Sequence, residues 1–187
     1  MVKSAGDGQL NRNTSYPTRN ECLEILKRYN CSAEVIEHIL AVTALALKIA
    51  KYFPNANLSL IEAGAMLHDL GRCKTHGIDH AVVGSKLART LGLPGEVIKI
   101  IERHICAGIL PAEAVALGLP EKDYTPKTIE ERIVAHADNL HEGSMRCKIQ
   151  YSVEHLRSQE LFESAERVRQ LHIELSNEAG IDLDEVD

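Results

Sequence analysis

Apolar residues recur at helical spacing along most of the chain, and capping residues mark the breaks between the runs. Thr18 with Glu21 is a capping box that opens a helix to about Tyr29. Ser32 caps a longer helix from Ala33 to about Phe53, stopped by Pro54. Ser59 followed by Glu62 predicts a helix from about Leu60, and from Ile61 to Leu70 almost every residue is apolar or small. A helix with no polar face is a buried one, and Gly71 is expected to end it in the left-handed conformation. Asp79 can cap a helix from His80 to Leu91, and Gly92 and Pro94 separate it from another at Glu96 to Ile105. The Gly/Pro-punctuated stretch 107–127, with a short helical patch near Ala112 to Leu117, is expected to be a flap. Thr128 and Glu131 open a helix through Leu140. A last amphipathic helix is expected from about Leu156 to Glu178, with Leu161, Ala165, Val168, Leu171 and Leu175 on one stripe. That stripe is assigned to core packing, with a homodimer face as the alternative. Residues 1–16 show no periodicity and are expected to be a flexible tail, leaving 17–187 as one all-α domain.

Composition narrows the function classes. Aromatics make up 4% of the 187 residues and Trp is absent, in keeping with a helical protein. A formal net charge of -6 argues against general nucleic-acid or anionic-membrane binding, while a local basic patch could still hold one phosphate. The longest apolar run, Ile39 to Ala50, is too short to span a membrane and is interrupted by Thr43 and Lys48, and no signal peptide is recognised. None of the five cysteines falls in a C-x-x-C pair, so they are expected to be reduced thiols in a cytoplasmic protein.

The candidate chemistry starts at His68-Asp69, predicted to lie in the last turn of the buried helix. The helix dipole is negative there and desolvation penalises the carboxylate, so a bound cation would relieve both costs. The alternatives are a buried His-Asp hydrogen-bonded pair or a helix end that simply reaches solvent. Four more polar groups fall on apolar faces: His38 in line with Val42, Leu45 and Ile49, His104 in line with Val97 and Ile101, Asp138 one turn after Val134, and His80 ahead of Ala81, Val82 and Val83. Each alone has an ordinary explanation as a hydrogen-bonded core residue. Together they send a His or Asp inward from five helices.

The order His38, His68-Asp69, Asp138 resembles the H…HD…D signature of the HD superfamily of metal-dependent phosphohydrolases, and Ala-Met-Leu-His-Asp-Leu-Gly-Arg resembles that family's helix ending in His-Asp-x-Gly-Lys/Arg. The resemblance covers about Ala33 to Arg146. It implies an all-α, HD-type bundle of about six to eight helices with the metal site at its centre. It also implies that His38, His68, Asp69 and Asp138 hold a first metal ion. His80, in a stretch similar to the family's H-x-x-x-G, and His104 look like the extra ligands of members with a second ion bridged by Asp69, although His76 competes with His80. The insertion with Leu-Gly-Leu-Pro-Glu-Lys-Asp-Tyr looks like an uncharacterised, mainly archaeal branch. The implied cofactors are divalent ions (Mn, Fe, Co, Ni, Zn or Mg), two per chain, activating water for attack on phosphorus with Asp69 as the catalytic carboxylate. The implied function is hydrolysis of a phosphoester in a nucleotide or other small phosphorylated metabolite, with Arg72 and Lys74, and more remotely His141 and Arg146, on the phosphate. The competing readings are a di-iron oxygenase and a nucleotide-sensing module without catalysis.

Overall fold

Capping side chains decide where the helices begin in the computed structural model, which describes residues 15–186. The tail expected at 1–16 lies almost wholly outside them. Thr18 and Glu21 close their capping box around the start of α1 (Arg19–Arg28), and Ser32 caps α2 (Ala33–Ala50), which unwinds three residues before the predicted Phe53. The next helix, α3 (Leu58–Leu67), starts two residues earlier than Ser59-Glu62 suggested, because the Asn57 side chain accepts from Leu60 N at 3.1 Å and takes the cap. After α3 comes a 3-10 turn, Leu70–Cys73, then α4 (His80–Thr90), α5 (Gly95–Arg103), α6 (Pro111–Ala116) and α7 (Ile129–Asn139). The expected all-α architecture holds. The only strands among the described residues are β1 (His141–Glu142) and β2 (Met145–Arg146), a minimal antiparallel hairpin turned by Gly143 at φ 55°.

The predicted helix 156–178 is two helices, α8 (Ile149–Ser158) and α9 (Phe162–Ala179). Glu160, at φ 61°, breaks them apart, and Leu161 is left 41% exposed, outside the stripe. Ala165, Val168, Leu171 and Leu175 are buried as expected. A final 3-10 turn, Leu183–Glu185, folds back on the hairpin region: Arg146 donates to Leu183 O at 3.0 Å and Ile149 N to Asp184 at 2.9 Å.

α3 lies at the centre, packed against α2, α5 and α7. Ile61, Met66 and Leu67 are fully buried, each worth about 1.5–3 kcal/mol by removal of its side chain from water. Gly71 does not end α3 and is not left-handed. It sits inside the 3-10 turn, where a Cβ would fall 1.9 Å from His80 O and 2.8 Å from Gly84 N. Gly84 faces it across the same contact, its own Cβ position 2.9 Å from Gly71 N. Two glycines therefore let α4 close directly onto the backbone that follows His68-Asp69.

The stretch expected as a flap is packed down. Ile109, Ala114, Leu119 and Tyr124 form a small cluster with Val82 of α4, and Lys122 pairs with Glu102 of α5. Asp79 precedes α4 as predicted, but its carboxylate accepts from Thr75 at 3.0 Å instead of capping the helix. Glu131 likewise turns from its predicted capping box to Lys127 N, at 2.7 Å, and Arg103, at 2.9 Å.

Cys31 and Cys73 are joined in a disulfide, correcting the expectation of five reduced thiols and removing the thiol argument for a reducing compartment. Their pairing depends on the α1–α2 connection lying beside the end of the 3-10 turn, which a separation of 42 residues does not reveal. Cys22, Cys106 and Cys147 are free. No helix among the described residues is long and apolar enough to cross a membrane.

Candidate metal centre

The structure brings all six predicted ligands into one cluster. His68 is the residue on which α3 ends and Asp69 the one that leads into the 3-10 turn, so the turn after α3 presents both to the interior. α2 delivers His38, α7 delivers Asp138, His80 opens α4 and His104 closes α5. His68, Asp69, His80 and His104 are each at most 5% exposed.

Backbone carbonyls fix how the imidazoles face. His68 Nδ1 donates to Ala65 O at 2.7 Å, His80 Nδ1 to Gly77 O at 2.8 Å and His104 Nδ1 to Ile101 O at 2.8 Å, in each case three residues back. His38 uses a distant partner, Gly143 O in the hairpin, at 2.7 Å. A carbonyl oxygen can only accept, so each Nδ1 carries the proton and each Nε2 of a neutral ring is a bare lone pair. Those lone pairs meet: His38 and His68 Nε2 are 3.2 Å apart, and His80 and His104 Nε2 are 3.1 Å apart. Such pairs repel unless a positive charge, a proton or a metal ion, stands between them. Neutral imidazoles anchored through Nδ1, with carboxylates beside them, are the donor set that transition-metal ions take.

Asp69 divides the cluster. Its Oδ2 lies 3.6 Å from His38 Nε2 and 3.8 Å from His68 Nε2, while its Oδ1 lies 3.2 Å from His80 and 3.5 Å from His104. Asp138 Oδ1 is 3.0 Å from His38 Nε2 and 3.6 Å from His68 Nε2. Burial works to raise the pKa of both carboxyls, but the surrounding imidazoles outweigh it and hold both well below the usual carboxylate range. Burial likewise pulls His38 down, yet Asp138 and Asp69 raise it to about 9. Groups that could hold a metal among the described residues include His38, His68 and Asp138, and His68, Asp69 and His104.

The residues expected on the phosphate have protein neighbours of their own in this structure. Arg72 turns inward, Nε donating to both Asp69 oxygens at 3.2 and 3.3 Å and an Nη to His76 O at 3.1 Å, so it braces the carboxylate. We expect Arg72→Ala to weaken metal retention, measured as metal content after dialysis against a weak chelator, and unchanged retention would refute that bracing role. Lys74 lies over the Tyr29 ring at 5.7 Å. Arg146 is spent on the carbonyls of Leu140, Cys147 and Leu183, a clamp between the hairpin and the final turn. His141 stays at the edge, its ring 6.5 Å from that of His38. His76 is exposed and offers its carbonyl to Arg72, while His80 takes the inward position. Sequence reasoning missed Gly143, whose carbonyl aims His38; a glycine in a short polar turn gave no sign of contacting a residue 105 positions away.

Comparison with known proteins fits this cluster. An HD domain family model matches residues 35–143, a span that holds all six inward-facing residues. The chain belongs to the HD domain family. A tRNA (cytidine(56)-2'-O)-methyltransferase of Thermoplasma volcanium is 48% identical to it over 91% of this chain and 50% of the relative. The protein of the same name from Picrophilus torridus is 41% identical over the same shares. An uncharacterised protein of Methanocaldococcus jannaschii is 49% identical over 69% of this chain and 78% of its own length. All three are archaeal, in line with the expected branch. The chain spans about half the length of the two methyltransferases. No solved structure matches it at a significant level.

These relatives correct the functional expectation. Proteins similar to this HD chain over most of its length are named as methyltransferases of a tRNA, not as phosphohydrolases of a small metabolite. Neither the oxygenase nor the nucleotide-sensing alternative is what those names describe. A set of ligands specifies what binds a metal; it does not specify the reaction built around it.

Proposed function

We propose that this chain is a divalent-metal unit serving tRNA modification, with the His/Asp cluster facing tRNA. The observation that carries the metal half of this reading is the meeting of four Nδ1-anchored imidazoles around Asp69. His38, His68, Asp138 and one oxygen of Asp69 would hold one ion, and His80, His104 and the other oxygen would hold a second. Bound divalent ions would supply positive charge and Lewis acidity to phosphate or ribose oxygens. The protein's own contribution is positional. The backbone carbonyls keep each ring in one tautomer, and Arg72 holds Asp69 so that its two oxygens face opposite halves of the cluster. The tRNA half of the reading is supported by the names of the relatives that cover 91% of this chain. A cytoplasmic location follows from that role.

The test is tRNA binding by filter retention with the metal-loaded chain, repeated after chelation and with Asp138→Ala. We expect retention to fall at least tenfold in both cases, a loss of about 1.4 kcal/mol or more. Retention that ignores metal, or no retention at all, would end this reading. Methyl incorporation into tRNA cytidine, followed with and without the chain, tests whether the metal unit also affects the modification itself.

A further inference from the structure

A cavity of about 230 Å³ opens beside the cluster, and no part of the metal reading uses it. Asn139, His141, Glu142, Tyr151, Ser152 and His155 are among its lining residues. It is continuous with the metal centre in the chain itself: Asn139 follows Asp138, and His141, whose ring is 6.5 Å from that of His38, lines the cavity wall. Tyr151 and His155, one turn apart on α8, hold their rings parallel within 5°, with centroids 6.3 Å apart. Tyr151 is 41% exposed. Parallel aromatic faces at the mouth of a small cavity suit a flat heterocycle, because every base has a face that stacks.

The polar groups on the wall have a consistent sense. His141 commits Nδ1 to Ala137 O at 2.8 Å, leaving Nε2 to accept. Asn139 commits its amide nitrogen to Cys106 O at 2.7 Å, leaving its side-chain oxygen to accept. Ser152 directs its hydroxyl to Asn139 O, and the Tyr151 hydroxyl is paired with Glu142. On the Asn139–Glu142 side the acceptors are open and Glu142 adds a carboxylate, while His155, whose Nε2 accepts from Gln159 Nε2 at 2.9 Å, keeps an Nδ1 donor on the α8 side. A wall of acceptors favours a ligand edge that donates.

We infer that this cavity binds a nucleobase bearing an exocyclic amino group, stacked on Tyr151 and hydrogen-bonded to acceptors on the Asn139–Glu142 wall, with its sugar-phosphate directed to the metal centre. The inference rests on the reading of that centre as RNA-facing and adds a base-selective subsite to it. Cytosine and adenine present the required donor; uracil presents a carbonyl in its place and meets the acceptors unfavourably.

The experiment uses the full chain loaded with Mn²⁺ and compares CMP, UMP and ribose 5-phosphate by titration calorimetry. CMP is expected to bind about tenfold more tightly than ribose 5-phosphate, and more tightly than UMP. Tyr151→Ala should erase the gain due to the base while Tyr151→Phe keeps it, and Glu142→Gln should narrow the gap between CMP and UMP because an amide can also donate. Both side chains are at the surface, so folding is not at stake. Equal affinities for the three probes, or a Tyr151→Ala protein that binds CMP as the parent does, would overturn the inference. Metal-dependent tRNA retention without any gain from the base would leave the metal reading standing and remove only this subsite. Base discrimination without tRNA retention would support the subsite and remove the tRNA reading.

Discussion

Asp69→Ala protein is expected to emerge from purification with its metal largely lost and its melting temperature lowered. Among the described residues Asp69 is the only carboxylate whose two oxygens face both histidine pairs, so its removal takes a donor from each half of the cluster at once. It also leaves the facing lone pairs of His38/His68 and His80/His104 with less reason to be close. A metal that binds only the folded chain at a hundred to a thousand times its dissociation constant adds about 3–4 kcal/mol. In a chain of this size the loss corresponds to a fall on the order of 10 °C. Elemental analysis and thermal denaturation, each with and without chelator, read the two effects separately: chelator should lower the parent towards the variant and leave the variant where it is. His104→Ala should give the intermediate result, one ion retained and one lost. Normal metal content in Asp69→Ala would overturn the ligand assignment, and normal content in His104→Ala would reduce the cluster to one ion.

Gly71→Ala should be nearly as damaging although it removes no ligand. Its Cβ would have to occupy a point 1.9 Å from His80 O, and that neighbour is backbone, so the strain cannot be relieved by a side-chain rotation. Overpacking of this kind costs about 1–3 kcal/mol, and more where the obstacle cannot move. The relief available is a retreat of α4 from the 3-10 turn, which would draw His80 away from Asp69, now 3.2 Å from it. Chemical denaturation should register the lost stability, and metal titration should register a weakened His80/His104 half with the His38/His68/Asp138 half less affected. A variant with parental stability and full metal content would show that the close approach of α4 is not what positions His80.

Most of the inward-facing His/Asp cluster was legible because imidazoles and carboxylates on apolar helix faces are conspicuous against Leu, Val and Ile. His38, His104 and Asp138 each betrayed themselves by the turn of helix on which they sit. The residues that arrange those ligands were not legible. Gly71 looked like a helix terminator because glycine commonly is one, and its real constraint, contact with α4, is visible only once α4 is in place. Arg72 was read as a phosphate ligand because a cation beside a metal motif suggests an anion to come, and its pairing with Asp69 was not foreseen. The hairpin and α8 were overlooked because residues 141–150 carry too few apolar positions to show a period, and the structure holds them through Arg146, Asp184 and the Gly143 carbonyl. The Cys31–Cys73 link was hidden for the same reason as Gly71: it reflects proximity, not pattern. The reaction was the least legible of all, since the ligand motif suggested hydrolysis and the relatives' names correct it.

The dependence of His38 on Gly143, and of the hairpin on Leu183, sets an order of events during synthesis. A nascent chain elongated past residue 104 already carries His38, His68, Asp69, His80 and His104, yet Asp138 and the carbonyl that orients His38 have still to be translated. The brace on the hairpin arrives later again, when Arg146 can reach the last turn. Since domains fold as units, closing of the cage waits until the stretch from Asp138 to Leu183 has been made. A chain cut short in α8 or α9 would carry all six cluster residues and still lack the Leu183 brace on the hairpin that aims His38.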